Sequence, residues 1–425
     1  MTIRVYIWDG MAHRRIGGYG SVSRGLIQSL AGRPDISLFL QGSKDAPFWN
    51  EEAMAGGGYW PSFKQLCEAL PQFSGDWGAL DVVLRIGSPR EARKPPVPML
   101  WFTGNGLSDL TPDFVRFLSI ADGHIVSTEY DRLAFERHFP NIYVAGQAGN
   151  ASVFRSVPSY RSEGPENFTF FFVGSYGFRK GTDVLVRAFA EEFRRGEATL
   201  VMHCVNERAS FQYNHVMRVL SEVGGHARVE MYHDARSDAW MNRWYNRADC
   251  FVTLSRGESW CLPPCEAALC QKPLIVPNAH SFGEYVPRDL GYFVRASSRL
   301  IKDIDDPMAG SLVSKYGHGD VALFEPDLGD ARAVMRHVFE AADERAERAA
   351  GLFHHFSQIV TWSRAADQVA DAIKSFMKVG QLKATVPTED VGVHFRSERS
   401  SDVGGPSDDL EQVHPGDPSG VGSGA

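Results

Sequence analysis

The segment Cys250-Phe-Val-Thr-Leu254, followed by Ser255-Arg-Gly-Glu258-Ser-Trp-Cys-Leu-Pro-Pro-Cys-Glu266-Ala-Ala268, reads as a strand, a loop and the start of a helix. The apolar run predicts a buried strand, and the two prolines favour a helix that begins just after the loop. Glu258 lies on the loop at the carboxyl end of the strand, where open α/β sheets bind ligands. Glu266 falls in the first helical turn, where its charge suits the helix dipole and its carboxylate can accept hydrogen bonds from the two hydroxyls of a ribose. A surface loop followed by an ordinary helix start would also fit the pattern.

The same strand–loop–helix unit recurs along the chain. Continuous apolar strands that alternate with amphipathic helices predict parallel sheets covered on both faces, which are doubly wound α/β domains. Strands are predicted at 3–8, 36–40, 81–86, 97–102, 123–127, 142–145, 168–174, 198–205, 227–232, 249–254, 273–276 and 291–294. Helices are predicted at 19–31, 61–70, 111–119, 129–138, 181–194, 210–222, 236–247, 264–270, 328–342, 344–357 and 361–378.

The turn-rich segment 156–165 divides the alternation into two halves and predicts a linker between two domains. We therefore expect a first domain over residues 1–155, a second over 156–360 and a final amphipathic helix over 361–378. Residues 379–425 are rich in Gly, Ser, Pro and Asp and predict a disordered acidic tail.

Composition and charge exclude several classes of protein. Of 425 residues, 43% are apolar and 23% charged, which is typical of a globular protein and excludes a fibre or a wholly disordered chain. The formal net charge is −8, and a mildly acidic chain disfavours a nucleic-acid partner. Between Gly380 and Ala425 there are three basic and eight acidic residues, so the tail carries −5 and residues 1–379 only −3. The body of the protein is nearly neutral.

The six cysteines are spread at positions 67, 204, 250, 261, 265 and 270 without a Cys-x-x-Cys pair. This spacing disfavours a metal site and favours buried thiols in a reducing cytoplasm. Because the N-terminus begins directly with a strand and no apolar run reaches 18 residues, we expect neither a signal peptide nor a membrane span. The expected location is cytoplasmic.

Two further loops carry groups that suit phosphate. Gly17-Gly18-Tyr-Gly20 follows the first strand, and glycine lets backbone N–H groups at a helix N-terminus approach a phosphate. Arg179-Lys180-Gly181 follows the apolar run 170–174 and opens a helix, which makes a diphosphate site plausible. Plain turns would also account for both loops. Neither loop has the glycine spacing and acidic residue of a dinucleotide fingerprint, so an NAD enzyme is disfavoured.

Taken in order, these loops resemble the motifs of the GT-B glycosyltransferases, specifically glycosyltransferase family 4. The resemblance rests on Gly17, Gly18 and Gly20, on Lys180-Gly181, and on the Glu258-x7-Glu266 pair, and it covers roughly residues 1–378. It implies two Rossmann-like domains that face a cleft, with the last helix crossing back onto the first domain. The donor, a nucleotide-diphosphate sugar, would bind mainly to the second domain and a glycan or other acceptor mainly to the first.

The resemblance also implies residue roles. Lys180 matches the lysine that neutralises the leaving diphosphate, Glu258 the glutamate near the donor sugar, Glu266 the ribose ligand and Gly18 the loop over the phosphates. It implies a retaining hexosyltransferase-type reaction in polysaccharide biosynthesis, with a donor phosphate oxygen as base, no metal and no cofactor. The further residues expected to bind the donor are Arg179, Ser259, Trp260, Cys261 and Leu262.

Three positions depart from the family pattern. Ser175 stands where the family has an arginine, and Arg179 is a candidate to replace that charge. Cys261 stands where a glycine is common. The acceptor-side histidine is absent, and Asn105 is the candidate for a hydrogen bond there. These departures leave open a degenerate GT-B protein that binds a sugar nucleotide or a partner without turnover.

The same motifs are also compatible with a sugar-nucleotide epimerase or a phosphorylase on the same fold. In the first domain, the cationic residues Arg132, Arg137 and His138 leave room for a weak peripheral membrane contact.

Overall fold

A computed structural model describes residues 2–8, 17–41, 59–89, 92–204, 211–224, 227–233, 237–306, 309–316 and 319–384. The predicted acidic tail lies outside these residues from position 385 onward. Residues 1–380 form one compact unit.

Seven strands of the first half form one parallel sheet in the order β3-β2-β1-β4-β5-β6-β7. Neighbouring strands pair in parallel throughout, so every connection crosses over the sheet and covers one of its faces. The strands are β1 (Ile3–Trp8), β2 (Ile36–Gln41), β3 (Gln72–Phe73), β4 (Val82–Ile86), β5 (Met99–Phe102), β6 (Gly123–Val126) and β7 (Ile142–Val144).

Six strands of the second half form another parallel sheet in the order β10-β9-β8-β11-β12-β13. Its central strands are continuous apolar runs, as expected of strands buried on both faces. The strands are β8 (Phe168–Gly174), β9 (Ala198–Cys204), β10 (Arg228–Tyr232), β11 (Cys250–Val252), β12 (Leu274–Pro277) and β13 (Tyr292–Val294). The two doubly wound sheets confirm the predicted fold class.

The helices cover the faces of the two sheets. Those of the first half are α1 (Gly18–Leu30), α2 (Tyr59–Ala69), α3 (Pro112–Leu118) and α4 (Glu129–Glu136). Those of the second half are α5 (Thr182–Glu192), α6 (Phe211–Glu222), α7 (Asp238–Arg247), α8 (Leu262–Leu269), α9 (Phe282–Tyr285), α10 (Gly310–Tyr316), α11 (Leu328–Glu340), α12 (Ala342–Gln358) and α13 (Trp362–Ala384).

The last helix crosses back to the first domain, as expected. The apolar side chains Ala366, Val369 and Ile373 of α13 belong to the same buried cluster as Val5 and Leu26 of the first domain. The helix ends at residue 384 rather than at the predicted 378. Its docking closes the face of α1 that would otherwise expose apolar side chains to water.

Helices α13 and α1 approach each other closely at Gly25. A Cβ atom at this position would lie 2.2 Å from the Trp362 ring, so only glycine lets the two helices meet here. Two ion pairs flank this contact: Lys374 lies 2.6 Å from Asp35, and Arg33 pairs with Asp367.

The predicted linker is an ordered segment of the second half. Residues Pro158–Glu163 form a 3₁₀ helix. Arg161 makes a two-fold contact with the Asp249 carboxylate, at 2.8 Å for each nitrogen. This segment therefore packs on the end of α7 and the start of β11 and does not hang free.

Several short elements were not predicted. Strands β14 (Ala296–Leu300) and β15 (Ala322–Pro326) form an antiparallel pair, and α9 and α10 are helices of four and seven residues. The run Ser297-Ser298-Arg299 is polar and exposed at its first two residues, so it lacks the apolar pattern that marks the buried strands.

The described residues include no helix that is both long enough and apolar enough to cross a membrane. All six cysteines are buried and unpaired, which agrees with the expected thiols.

Candidate active site

A cavity of about 460 Å³ lies between the two domains, at the carboxyl ends of strands from both sheets. Residues from the first domain line one wall, and the loops after β8 and β11 line the other. Nine of the ten predicted site residues line this cavity: Gly18, Asn105, Arg179, Lys180, Glu258, Ser259, Trp260, Cys261 and Leu262.

A tight turn between β8 and α5 carries Lys180. Residues Phe178–Lys180 form a 3₁₀ turn, and Gly181 follows with a φ of 64°. A Cβ atom at Gly181 would lie 1.9 Å from the Leu254 carbonyl oxygen, so this position needs glycine for both its conformation and its space. The Arg179 carbonyl accepts hydrogen bonds from the Arg256 N–H at 2.7 Å and the Ser255 hydroxyl at 3.0 Å. The lysine turn is thereby fixed to the glutamate loop.

Glu258 lies at the centre of the cationic part of the cavity. Its carboxylate accepts hydrogen bonds from Lys180 Nζ at 2.6 Å, the Ser255 hydroxyl at 2.9 Å and Arg179 at 3.3 Å. Burial alone would raise the pKa of Glu258, but the charges of Lys180 and Arg179 outweigh it and hold the pKa below its usual value. Glu258 therefore stays ionised and holds both cations toward the cavity.

Arg256 does not line the cavity, and it links the lysine turn to the glutamate loop. Its guanidinium is 3% exposed and contacts the carboxylates of Asp183 at 2.8 Å and Glu325 at 2.7 Å. It also donates to the Phe178 carbonyl oxygen at 2.6 Å. Burial would lower the pKa of Arg256, but the two carboxylates raise it above its usual value. This paired, buried charge fixes the start of the lysine turn relative to the glutamate loop.

Ser259 connects the glutamate loop to the first domain. Its hydroxyl donates to the Asp131 carboxylate, which is fully buried in the first turn of α4. The other Asp131 oxygen accepts the Gly106 N–H at 3.0 Å. Burial raises the pKa of Asp131 to about 6, although the groups that donate to it oppose the shift.

The next three motif residues pack against the protein as well as the cavity. Trp260 stacks on Tyr285, with ring centroids 4.2 Å apart. The Cys261 carbonyl accepts a hydrogen bond from the Tyr285 hydroxyl at 3.2 Å, and burial raises the pKa of the Cys261 thiol. Leu262 belongs to the apolar cluster of the first domain. The motif loop is thus part of the contact between the domains.

Glu266 is the one predicted site residue that does not line the main cavity. It lines a separate cavity of about 20 Å³ together with Arg24 and Asp238. Its carboxylate accepts a hydrogen bond from the Tyr245 hydroxyl at 2.6 Å. Burial raises the pKa of Glu266 to about 7, with Asp238 adding to the shift and Arg24 opposing it.

The two predicted residues of the first domain lie in different settings. Gly18 begins α1, whose N-terminus therefore faces the cavity. The Asn105 amide nitrogen donates within its own loop, to the Leu107 carbonyl at 3.2 Å and the Asp109 carbonyl at 2.7 Å. Its amide oxygen is buried without a hydrogen-bond partner, so the oxygen is the atom of this side chain that can still accept a hydrogen bond.

Several residues in and around the cavity were missed from the sequence. Behind its walls, Asp131 lies in the predicted helix 129–138, and Arg256 is inside the motif loop itself. Tyr316 lines the cavity from α10, which was not predicted. The other lining residues that were missed are Tyr19, Val22, Ser88, Pro89, Gly104, Phe114, Gln147, Val173, Gly174 and Pro263. Ser175, which departs from the family pattern, also lines the cavity.

No group of three or more candidate metal ligands occurs among the residues that the structure describes. The cations named as a candidate membrane contact each face a carboxylate: Arg132 pairs with Glu129 and Glu136, and both Arg137 and His138 lie within 3.0 Å of Asp109.

Two doubly wound domains, a cavity between them and a helix that crosses back define the GT-B fold. Comparison with known families agrees with this class. Residues 167–306, which contain Lys180, Glu258 and Glu266, match the family model described as glycosyl transferases group 1.

The chain is also similar in sequence to a viral protein. Over 102 residues the chain is 26% identical to ORF313 of Acidianus filamentous virus 1, which its name assigns to the glycosyltransferases. This match spans 24% of the chain and only 29% of the viral protein.

Two solved structures share the fold over most of the chain. Sucrose-phosphate synthase from Thermosynechococcus elongatus has a TM-score of 0.62 at 14% identity, covering 89% of this chain and 100% of its own. HepE from Anabaena, solved with UDP and glucose, has a TM-score of 0.61 at 13% identity, covering 88% of this chain and 100% of its own.

Proposed function

We propose that this protein is a glycosyltransferase that moves a sugar from a nucleotide-diphosphate sugar to a glycan or another acceptor. The observation that carries the proposal is the convergence of Lys180, Arg179 and Glu258 in one cavity between two GT-B domains. The match of residues 167–306 to glycosyl transferases group 1 supports it. The complex of HepE with UDP and glucose favours a UDP-sugar as the first donor to test.

The chemistry follows from the charges in the cavity. The difficult step in sugar transfer is departure of a nucleoside diphosphate, during which negative charge develops on the phosphate oxygens. Lys180 and Arg179 are held at the cavity by Glu258, so they need no reorganisation to meet that charge. The N-terminus of α1 at Gly18 adds backbone N–H groups that favour anions.

The finer assignments are part of the same proposal. We assign Glu258 to the donor sugar, and Ser259, Trp260, Cys261 and Leu262 to the donor pocket. We assign Glu266 to the ribose and Asn105 to the acceptor. The reaction is proposed to retain anomeric configuration and to need neither a metal nor a cofactor. The buried thiols favour a cytoplasmic location.

The test is transfer or donor hydrolysis by the purified protein with a panel of UDP-, GDP- and ADP-sugars. We expect product with at least one donor, activity that survives chelation of divalent ions, and a product whose anomeric configuration matches the donor by NMR. Lys180→Ala should lower turnover about 10²–10³-fold. Lys302→Ala is the matched control, because Lys302 is exposed and pairs with Asp320 at 2.6 Å outside the cavity.

A second candidate is a protein that binds a sugar nucleotide without turnover. The observation that favours it is the position of Glu266, which lies outside the main cavity in contact with Tyr245. Calorimetric binding of UDP, GDP or ADP without product from any donor and acceptor would establish this candidate. Turnover that depends on inorganic phosphate would instead identify a phosphorylase, and conversion of the donor sugar into its epimer would indicate an epimerase-type reaction.

A further inference from the structure

The two domains come into close contact where two glycine-containing loops meet. A Cβ atom at Gly106 would lie 2.6 Å from the Glu258 carbonyl carbon, and one at Gly257 would lie 2.8 Å from the Gly106 carbonyl oxygen. At Gly104 a Cβ atom would lie 1.9 Å from the Ser259 hydroxyl oxygen. Since backbone touches backbone here, the loop that carries Glu258 rests directly on the first domain.

Asp131 provides the side-chain hydrogen bonds at this contact. One of its oxygens accepts the Gly106 N–H at 3.0 Å, and the other accepts the hydroxyl proton of Ser259. The Asp131 side chain is 0% exposed and does not line the cavity. It therefore cannot touch a ligand in the cavity directly, and it acts through the loops that it joins.

The helix that carries Asp131 is itself held by both domains. The Thr128 hydroxyl caps its N-terminus by accepting the Asp131 N–H at 3.2 Å. From the second domain, the Glu284 carboxylate accepts the backbone N–H groups of Glu129 at 2.7 Å and Tyr130 at 2.9 Å. An anion at a helix N-terminus is favourable, so the second domain fixes the turn from which Asp131 projects.

We propose that Asp131 is a positioning residue for Glu258. It joins Gly106 of the first domain to Ser259, the neighbour of Glu258. It thereby sets the position of the Glu258 carboxylate relative to the cavity wall that the first domain forms. This inference rests on the proposed function for its effect on turnover, but its structural part, the ordering of residues 257–262, does not depend on turnover.

Removal of the carboxylate frees Ser259 and leaves the Gly106 N–H without its acceptor. Asp131→Ala is expected to lower kcat about 10- to 100-fold, as displacement of a reacting group by about 1 Å does. The nucleotide Kd should change less than about threefold, because the lysine turn keeps its bonds to Arg256 and Ser255.

Three further single variants and one double variant separate positioning from general loss of stability. Asp131→Asn keeps an oxygen for Gly106 and adds an amide that can donate to the Ser259 oxygen, so it should restore kcat to within about threefold. Ser259→Ala should lower kcat as Asp131→Ala does. Because the two residues act through one hydrogen bond, the double variant Asp131→Ala/Ser259→Ala should have a kcat no lower than that of the slower single variant. Asp327→Ala removes the N-terminal cap of α11, a helix whose residues do not line the cavity, and should lower the melting temperature while leaving kcat unchanged.

Hydrogen exchange provides the readout that does not require turnover. In the full chain, Asp131→Ala and Ser259→Ala should speed amide exchange in residues 257–262, whereas Asp327→Ala should not. Equal exchange of these residues in the wild type and in Asp131→Ala would overturn the inference, whether or not the protein turns over a donor. If the wild type transfers no sugar from any donor, the proposed function fails, and the exchange data still decide the role of Asp131.

Discussion

Lys180 donates to the Glu258 carboxylate across 2.6 Å, although the two residues belong to loops that follow different strands, β8 and β11. The side chain of Glu258 is 8% exposed and that of Lys180 19%. Each residue therefore supplies the main opposite charge that neutralises the other inside the cavity.

Lys180→Ala should reduce both turnover and stability. Loss of a cation that faces the leaving group costs about 10²–10³-fold in kcat. The buried Glu258 carboxylate keeps Arg179 and Ser255 as partners, so the loss of Lys180 should cost about 1–3 kcal/mol of unfolding free energy. The double variant Lys180→Ala/Glu258→Gln should recover most of the stability but none of the turnover. Steady-state kinetics and urea unfolding measure the two effects, and recovery of turnover in the double variant would contradict the assigned role of Lys180.

Arg256 should be important for stability although it does not line the cavity. Arg256→Ala leaves Asp183 and Glu325 without their buried partner and should cost about 3–5 kcal/mol. Arg256→Lys should recover only a part, because an ammonium cannot make the two-fold contacts of a guanidinium. Arg295→Ala is the control: that side chain is 74% exposed and pairs with Asp330, so it should cost at most about 1 kcal/mol. Equal losses at the two arginines by urea unfolding would contradict the prediction.

Glu266 should make stability depend on pH near neutrality. Its pKa is about 7 in the folded protein against a usual 4.5, so between these values the folded state binds more protons than the unfolded state. The free energy of unfolding should therefore fall as pH rises through this range. Asp131, with a pKa of about 6, contributes in the lower part of the same range.

Glu266→Gln is the test of this dependence. Unfolding experiments should show that the variant flattens the curve mainly between about pH 6 and 7, since Asp131 still titrates below that. If Glu266 also accepts hydrogen bonds from a ribose, nucleotide affinity in the wild type should rise with pH through about 7, and the variant should lose that rise. Identical stability curves for the two proteins would show that the Glu266 carboxyl does not titrate in this range.

Gly25→Ala should destabilise the protein even though alanine is the better helix former. Helix propensity alone would favour the alanine by about 1 kcal/mol, but its Cβ would lie 2.2 Å from the Trp362 ring, and overpacking costs about 1–3 kcal/mol. Gly32→Ala is the matched control, because nothing lies within 4 Å of the added carbon. Chemical denaturation should show a loss for the first variant and little change for the second; the reverse order would mean that α13 does not dock as described.

The sequence predicts the two sheets well, because each central strand is an apolar run with its own turn signals. The run 168–174 is predicted to the residue, and the motif loop at Glu258 falls at the end of its strand as expected. The pair β14–β15 is missed for the opposite reason. Ser297 and Ser298 are polar and exposed, so their segment lacks the apolar run that marks a buried strand.

Nine of the ten residues nominated from the sequence line one cavity, but the sequence does not predict their arrangement. Local spacing places Lys180 and Glu258 each in a loop after a strand, and because β8 and β11 are neighbours in the sheet, the two side chains meet. Local spacing does not reveal how the two domains pack, so it could not indicate that Asp131 reaches Ser259 or that Glu266 lies with Arg24 in a separate cavity. Both facts depend on contacts between residues more than 100 positions apart.

The crossing of α13 has a consequence for how the chain folds during synthesis. Apolar residues between positions 365 and 376 belong to the core of the first domain, yet they leave the ribosome only after all the strands of the second domain. Domains commonly fold as units from the N-terminal end while translation proceeds. Here the first domain cannot finish its core until the last helix arrives, so the newly made domain must keep the apolar face around Leu26 open in the meantime.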